Sequence, residues 1–188
     1  MRVILASQSP RRRQLLEHWG VEFTVVPADV DETPRAGEEP GCLVRRLAVT
    51  KAVTVGTNHP QNIIVAADTA VAYGRTVLGK PRDPHEAASM LQMLSGNRHE
   101  VYTGVGVWRD STGRGLVQVD VAHVTFRTLE PWEIEAYVST GEPMDKAGAY
   151  AVQGGAGAFV ESYEGNLDTV IGLSGDVLKR LLTKFYGD

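Results

Sequence analysis

The sequence predicts an α/β fold built on a mixed sheet. Short apolar runs suited to buried strands alternate with stretches of helical spacing along the chain. Hairpin signals are mixed in among them, which calls for antiparallel as well as parallel pairs rather than a doubly wound parallel sheet. With 188 residues, 43% of them hydrophobic, the chain can bury one full core and is thin for two, so a single domain over 1–188 is expected.

Val3 to Ala6 is the first strand-like run. Ser7-Gln8-Ser9-Pro10 follows, with Ser9 as helix N-cap and Pro10 as the first helical residue. Leu15, Leu16 and Trp19 give that helix an apolar face, and Gly20 ends it. Glu22 to Val26 reads as a second strand. The polar stretch from Pro27 to Pro40 carries Asp29, Asp31, Glu32, Glu38 and Glu39 and reads as a surface loop. Helical spacing returns from Leu43 to Val55. Ile63 to Ala67 is the next strand, closed by Asp68, and a hairpin then turns at Gly74-Arg75 between Ala70–Tyr73 and Thr76–Leu78. Asp83-Pro84-His85-Glu86 starts a helix, with Asp83 as cap and Glu86 as capping-box acid. His99–Trp108 and Gly115–Arg127 form a long hairpin around Asp110-Ser111-Thr112-Gly113. Glu130 to Val138 is helical after Pro131. Gly148 to Gly157 is rich in Gly and Ala and has no core period. Phe159–Tyr163 and Thr169–Ile171 are strand-like, and Ser174 caps a last helix that buries Val177, Leu178, Leu181 and Leu182.

Charge and composition exclude several functions. Lys and Arg number 19 against 23 Asp and Glu, a net charge of −4, so stable binding along a nucleic acid is not expected. No apolar run approaches the ~20 residues of a membrane span. Cys42 is the only cysteine, which rules out an internal disulfide and argues against a Cys-based zinc site. The opening apolar run is too short for a secretory leader, so a soluble cytoplasmic protein is expected. P-loop, G-x-S-x-G and H-E-x-x-H patterns are absent.

Arg11, Arg12 and Arg13 stand in the first turn of the first helix, where exposed cations oppose the macrodipole by roughly 0.3–1 kcal/mol each. An anion there reverses the sign, meeting free N–H groups, the hydroxyls of Ser7 and Ser9 and the guanidinium forks. A solvated basic patch is the alternative. Adjacent helical residues diverge by about 100°, so at least one of the three arginines must point away, with Arg13 a candidate for that place. Asp68 closes an apolar strand, where α/β ligand sites gather, although an isolated aspartate there is more commonly a turn or cap. Lys80, in Gly79-Lys80-Pro81 on the return strand, can approach it and share a metal-bound polyphosphate. Glu32 and Lys51 are further candidates, each alone reading as a solvated surface residue. Small residues around Gln153 allow close approach of a ligand, and its amide both donates and accepts, which suits a base edge. His99 and His123 have no metal-ligand spacing and read as structural; Trp19, Trp108 and Trp132 read as core.

Together these blocks resemble the Maf-type nucleotide pyrophosphatases. The resemblance is carried by Ser7-Gln8-Ser9-Pro10-Arg11-Arg12 with Leu15-Leu16, Asp68-Thr69, Gly79-Lys80-Pro81-Arg82-Asp83, and Leu94-Ser95-Gly96 with His99-Glu100-Val101. It continues in Asp145 through Tyr150, Gln153-Gly154 and Val170-Ile171-Gly172-Leu173, in the family's order over nearly the whole chain. It implies a strongly twisted mixed sheet with flanking helices and a deep cleft, similar to inosine triphosphate pyrophosphatases, and commonly a homodimer. It implies hydrolysis of a nucleoside triphosphate to the monophosphate and pyrophosphate, helped by a divalent cation (Mg²⁺, or Mn²⁺ or Co²⁺) at Asp68 and Glu32. The general base falls on Asp68. Substrate- and phosphate-binding residues fall on Ser7, Arg11, Arg12, Glu32, Lys51 and Lys80, and specificity positions on Arg11, Thr69 and Gln153. Thr69 resembles the branch acting on dTTP, UTP and modified pyrimidine nucleotides in nucleotide-pool housecleaning. The alternatives are the 7-methyl-GTP branch, an inosine or xanthosine triphosphate pyrophosphatase, and a septum or cell-division module without catalysis. Ser174, Asp168 and Gly154-Gly155-Ala156-Gly157 depart from the family pattern on the substrate side.

Overall fold

The structure, a computed structural model, describes residues 2–187. Its strands are β1 (Arg2–Leu5), β2 (Glu22–Val25), β3 (Ile64–Tyr73), β4 (Thr76–Leu78), β5 (Arg98–Arg109), β6 (Arg114–Phe126) and β7 (Val160–Glu164). Its α-helices are α1 (Pro10–His18), α2 (Pro40–Asn58), α3 (Pro84–Leu94), α4 (Pro131–Ser139), α5 (Leu167–Ile171) and α6 (Gly175–Gly187). The sheet is mixed, as expected, in the order β2-β1-β3-β5-β6-β7 with β4 paired to β3. β1 runs parallel to β2 and β3, whereas β3–β4 and β6–β7 are antiparallel.

Contacts divide the described chain into two compact units. The first holds residues 2–69, 103–120 and 172–187; the second holds 70–102 and 121–171. Each of β3, β5 and β6 contributes a segment to both. In the first unit, Ile4, Ala6, Ile64 and Ala66 pack on Ala52 and Val55 of α2. Helix α2 lies close to β5 because two glycines make room: a Cβ on Gly104 would strike the backbone carbonyl of Val44, and one on Gly106 would sit 3.4 Å from that of Ala48. Val44, Ala48, Lys51 and Val55 recur at i, i+4, i+7 and i+11, so all four share the buried stripe. The second unit has its own core, in which Phe126 meets Tyr150 edge to face at 4.8 Å.

Local chemistry differs from expectation at several places. Asp68 does not end a strand: β3 runs through it to Tyr73, because β4 pairs with the second half of β3 after β1 has left. The 169–171 segment is helical rather than extended; the Asn166 side chain accepts from Asp168 N–H at 2.9 Å and starts a turn. Ser9 stands at the N-cap without a side-chain capping bond, and its N–H donates to Ser7 Oγ instead. Asp83 caps α3 as expected, but Glu86 accepts from Arg82 rather than completing the box. The hydroxyl of Ser174 donates to Asp120 at 2.6 Å. Trp132 is 67% exposed, since Ile134 and Tyr137 take the buried side of α4. Trp19 and Trp108 are half-buried, and His99 is buried.

Candidate active site

Two side-chain clusters meet at the consecutive residues Asp68 and Thr69 of β3. The first is ionic. Lys51, carried inward on the buried stripe of α2, places Nζ 2.6 Å from Asp68 Oδ1 and 2.6 Å from Glu32 Oε1. Lys51 and Asp68 are buried, whereas the Glu32 side chain is about half exposed. Lys51 is therefore not the solvated surface residue it appears in isolation. Burial raises the pKa of Asp68, working against the attraction of Lys51 and Arg12.

The second cluster surrounds Arg12. Its Nε donates to Gly172 O at 2.8 Å, Nη1 to Ser7 Oγ at 3.1 Å and Nη2 to Thr69 Oγ1 at 3.2 Å. All three acceptors are neutral and engage three of the five guanidinium N–H donors. Burial lowers the pKa of Arg12, against the pull of Asp68. A desolvated cation held by neutral groups has donors left for an anion. Gly172 suits this place through its backbone, whose φ of +127° is one that L side chains rarely adopt. Thr69 Oγ1 is also 2.9 Å from the hydroxyl of the buried Thr103 on β5. Thr103 and Gly172 are the site residues that sequence reading did not single out for chemistry. Only the polar residue in an otherwise apolar part of β5 hinted at the first.

Ser7, Arg12, Glu32, Lys51, Asp68 and Thr69 thus come together within the first unit. Arg11 is half-buried, and its charge acts on Arg12. Arg13 is exposed and is the arginine that points away. Lys80 and Gln153 belong to the second unit, and both are exposed. There, Gly148 N–H donates to Gly79 O at 3.1 Å, tying the segment bearing Lys80 to the motif that leads to Gln153. No group of three or more His, Cys, Asp or Glu side chains able to hold a metal occurs among the described residues. Asp68 and Glu32 converge on Lys51 Nζ, which supplies the positive charge between them; as oxygen donors, the two carboxylates are of the type a hard cation takes while keeping most of its water.

The Maf-like protein family model matches residues 2–185. The chain belongs to this family. Among its relatives, a dTTP/UTP pyrophosphatase of Myxococcus xanthus (strain DK1622) is 50% identical over 91% of this chain and 86% of its own. One of Anaeromyxobacter dehalogenans (strain 2CP-C) is 51% identical over 92% and 88%. One of Clostridioides difficile (strain 630) is 38% identical over the full length of both chains. A solved structure of the Staphylococcus aureus Ham1 protein aligns with a TM-score of 0.48 and 13% identity, over 67% of this chain and 72% of that one. No described helix is long and apolar enough to cross a membrane.

Proposed function

We propose that this chain is a nucleoside triphosphate pyrophosphatase that hydrolyses dTTP, UTP and modified pyrimidine nucleotides to the monophosphate and pyrophosphate. The names of its relatives support the substrate class. One observation carries the chemistry: Asp68 lies buried against Lys51, next in the chain to the threonine that holds a desolvated Arg12.

Cleavage between the α- and β-phosphates requires neutralisation of the triphosphate, an aimed water and stabilisation of the departing pyrophosphate. Arg12 is fixed before substrate arrives, so its remaining donors meet phosphate oxygens without reorganisation. Lys51 holds Asp68 and Glu32 in place and adds positive charge. Asp68, with its pKa raised by burial, is a better proton acceptor than an exposed aspartate and takes the proton of the attacking water. A divalent cation of the Mg²⁺, Mn²⁺ or Co²⁺ type at Asp68 and Glu32 would supply Lewis acidity. Ser7 and Arg11 complete the phosphate site, with Lys80 as a further phosphate ligand. Arg11, Thr69 and Gln153 select the base. The chain acts as one functional domain, in the cytoplasm and as a homodimer.

The test is pyrophosphate release from dTTP, UTP, 7-methyl-GTP, ITP and XTP, with and without divalent metal. The pyrimidine nucleotides should lead the panel, chelator should abolish turnover, and Asp68→Asn should lower kcat on the order of 100-fold or more with the fold retained. Near-normal turnover in that variant would remove Asp68 from the mechanism. Preference for a purine substrate would overturn the specificity.

A further inference from the structure

In the second unit, Gln153 sits on an exposed turn that Gly154 N–H closes by donating to Ala151 O at 3.0 Å. The carboxylate of Glu142 grips that turn. Gly155 N–H lies 3.2 Å from both of its oxygens, and the Tyr137 hydroxyl donates to Oε1 at 3.0 Å. The backbone of Glu142 is anchored as well: its N–H donates to Thr140 Oγ1 at 3.1 Å, and its carbonyl accepts from Lys146 Nζ at 2.7 Å. The glycines make the fit possible. A Cβ on Gly154 would fall within the Glu142 carboxylate, and one on Gly155 would crowd the Tyr137 ring at 3.3 Å. Gly154 and Gly155 are therefore the residues that admit Glu142. A charged acceptor bound to a single backbone N–H is a stiff restraint, stronger than a neutral contact.

We infer that Glu142 is a positioning residue for substrate selection. It holds the 151–155 turn so that Gln153 presents its amide to the nucleotide base in one orientation. An amide that donates at one end and accepts at the other discriminates between bases only if its direction is fixed. The inference rests on the reading of Gln153 as a base-contacting residue.

The experiment measures kcat and KM for dTTP, UTP and GTP in the full chain, in E142A, E142Q and Q153A, and in the E142A/Q153A double variant. Urea midpoints are recorded alongside. E142A should raise KM for the pyrimidine nucleotides and lower the pyrimidine-to-purine ratio of kcat/KM about tenfold, with kcat little changed. Q153A should do the same, and the double variant should be no worse than Q153A alone. E142Q, whose amide oxygen still accepts from Gly155 and Tyr137, should keep most of the selectivity. Wild-type selectivity in E142A alongside its loss in Q153A, or additive losses in the double variant, would overturn the inference while leaving Gln153 as the reader. Unchanged selectivity in Q153A would overturn the reading of Gln153 itself, and the inference with it. If E142A does not fold, Tyr137→Phe replaces it: removal of one donor to the carboxylate should lower the ratio in the same direction, and an unchanged ratio would overturn the role.

Discussion

Lys51 occupies a position on α2 that its neighbours Val44, Ala48 and Val55 would make apolar. Its charge is tolerated because Asp68 and Glu32 each lie 2.6 Å away. Truncating it leaves the Asp68 carboxylate buried without its direct cation. Lys51→Met should cost about 3–5 kcal/mol of stability at neutral pH, the usual loss when one partner of a buried pair is removed. The loss should shrink in acid as Asp68 takes up a proton. Urea unfolding at two pH values checks both statements. Asp68, Arg12 and Ser7 were legible in the sequence as types and positions. The burial of Lys51 was not legible, because a lone lysine in a helix reads as solvated until its carboxylate partners are known. Thr103 was hidden for a similar reason: its role depends on which strand lies beside β3.

At the scale of elements, the helix that delivers Lys51 depends on a glycine in a strand. Gly104→Ala would drive a methyl group into the carbonyl of Val44 and lift α2 from β5. Overpacking of this kind costs typically 1–3 kcal/mol. Denaturant unfolding should register that loss, and kcat should fall with it because Lys51 moves away from Asp68. A stability loss with unchanged kcat would detach the helix position from the chemistry. Most elements follow from the sequence, since apolar period, Pro at helix starts and Gly at turns are local signals. Two exceptions have tertiary causes. β3 continues past Asp68 because β4 returns to pair with it, and the Ser174 hydroxyl turns to Asp120. Helix α5 is a local exception, started by Asn166 where β-branched residues suggested a strand.

The molecule's response to acid should come in two stages. His99 is buried, its Nε2 is 2.8 Å from Tyr150 Oη, and burial pushes its pKa down to about 4. The unfolded chain therefore binds a proton below about pH 6.5 that the folded chain refuses until about pH 4. Stability from this group is present above pH 6.5 and falls as pH drops toward 4, by about 3 kcal/mol in all. Glu38 and Glu133, each held at about 2 chiefly by hydrogen bonds from Arg46 and Arg127 respectively, lose their contributions only below about pH 4.5. Urea midpoints between pH 7 and 4.5 should fall for the wild type and stay flatter for His99→Gln. Parallel curves would show that His99 does not set the acid limit.

The sequence by itself determined the mixed α/β class, the family and the residue types of the site, because these rest on local period, turn chemistry and motif order. It also excluded an internal disulfide, as one cysteine cannot make one. Only the tertiary structure decided which charges are buried and what they touch. Arg12 reads as a surface cation until Thr69 and Gly172 are brought in from distant parts of the chain to join its near neighbour Ser7 around it. Burial and pairing are properties of contacts between distant segments, and the energy of a charge depends on them far more than on its neighbours in sequence.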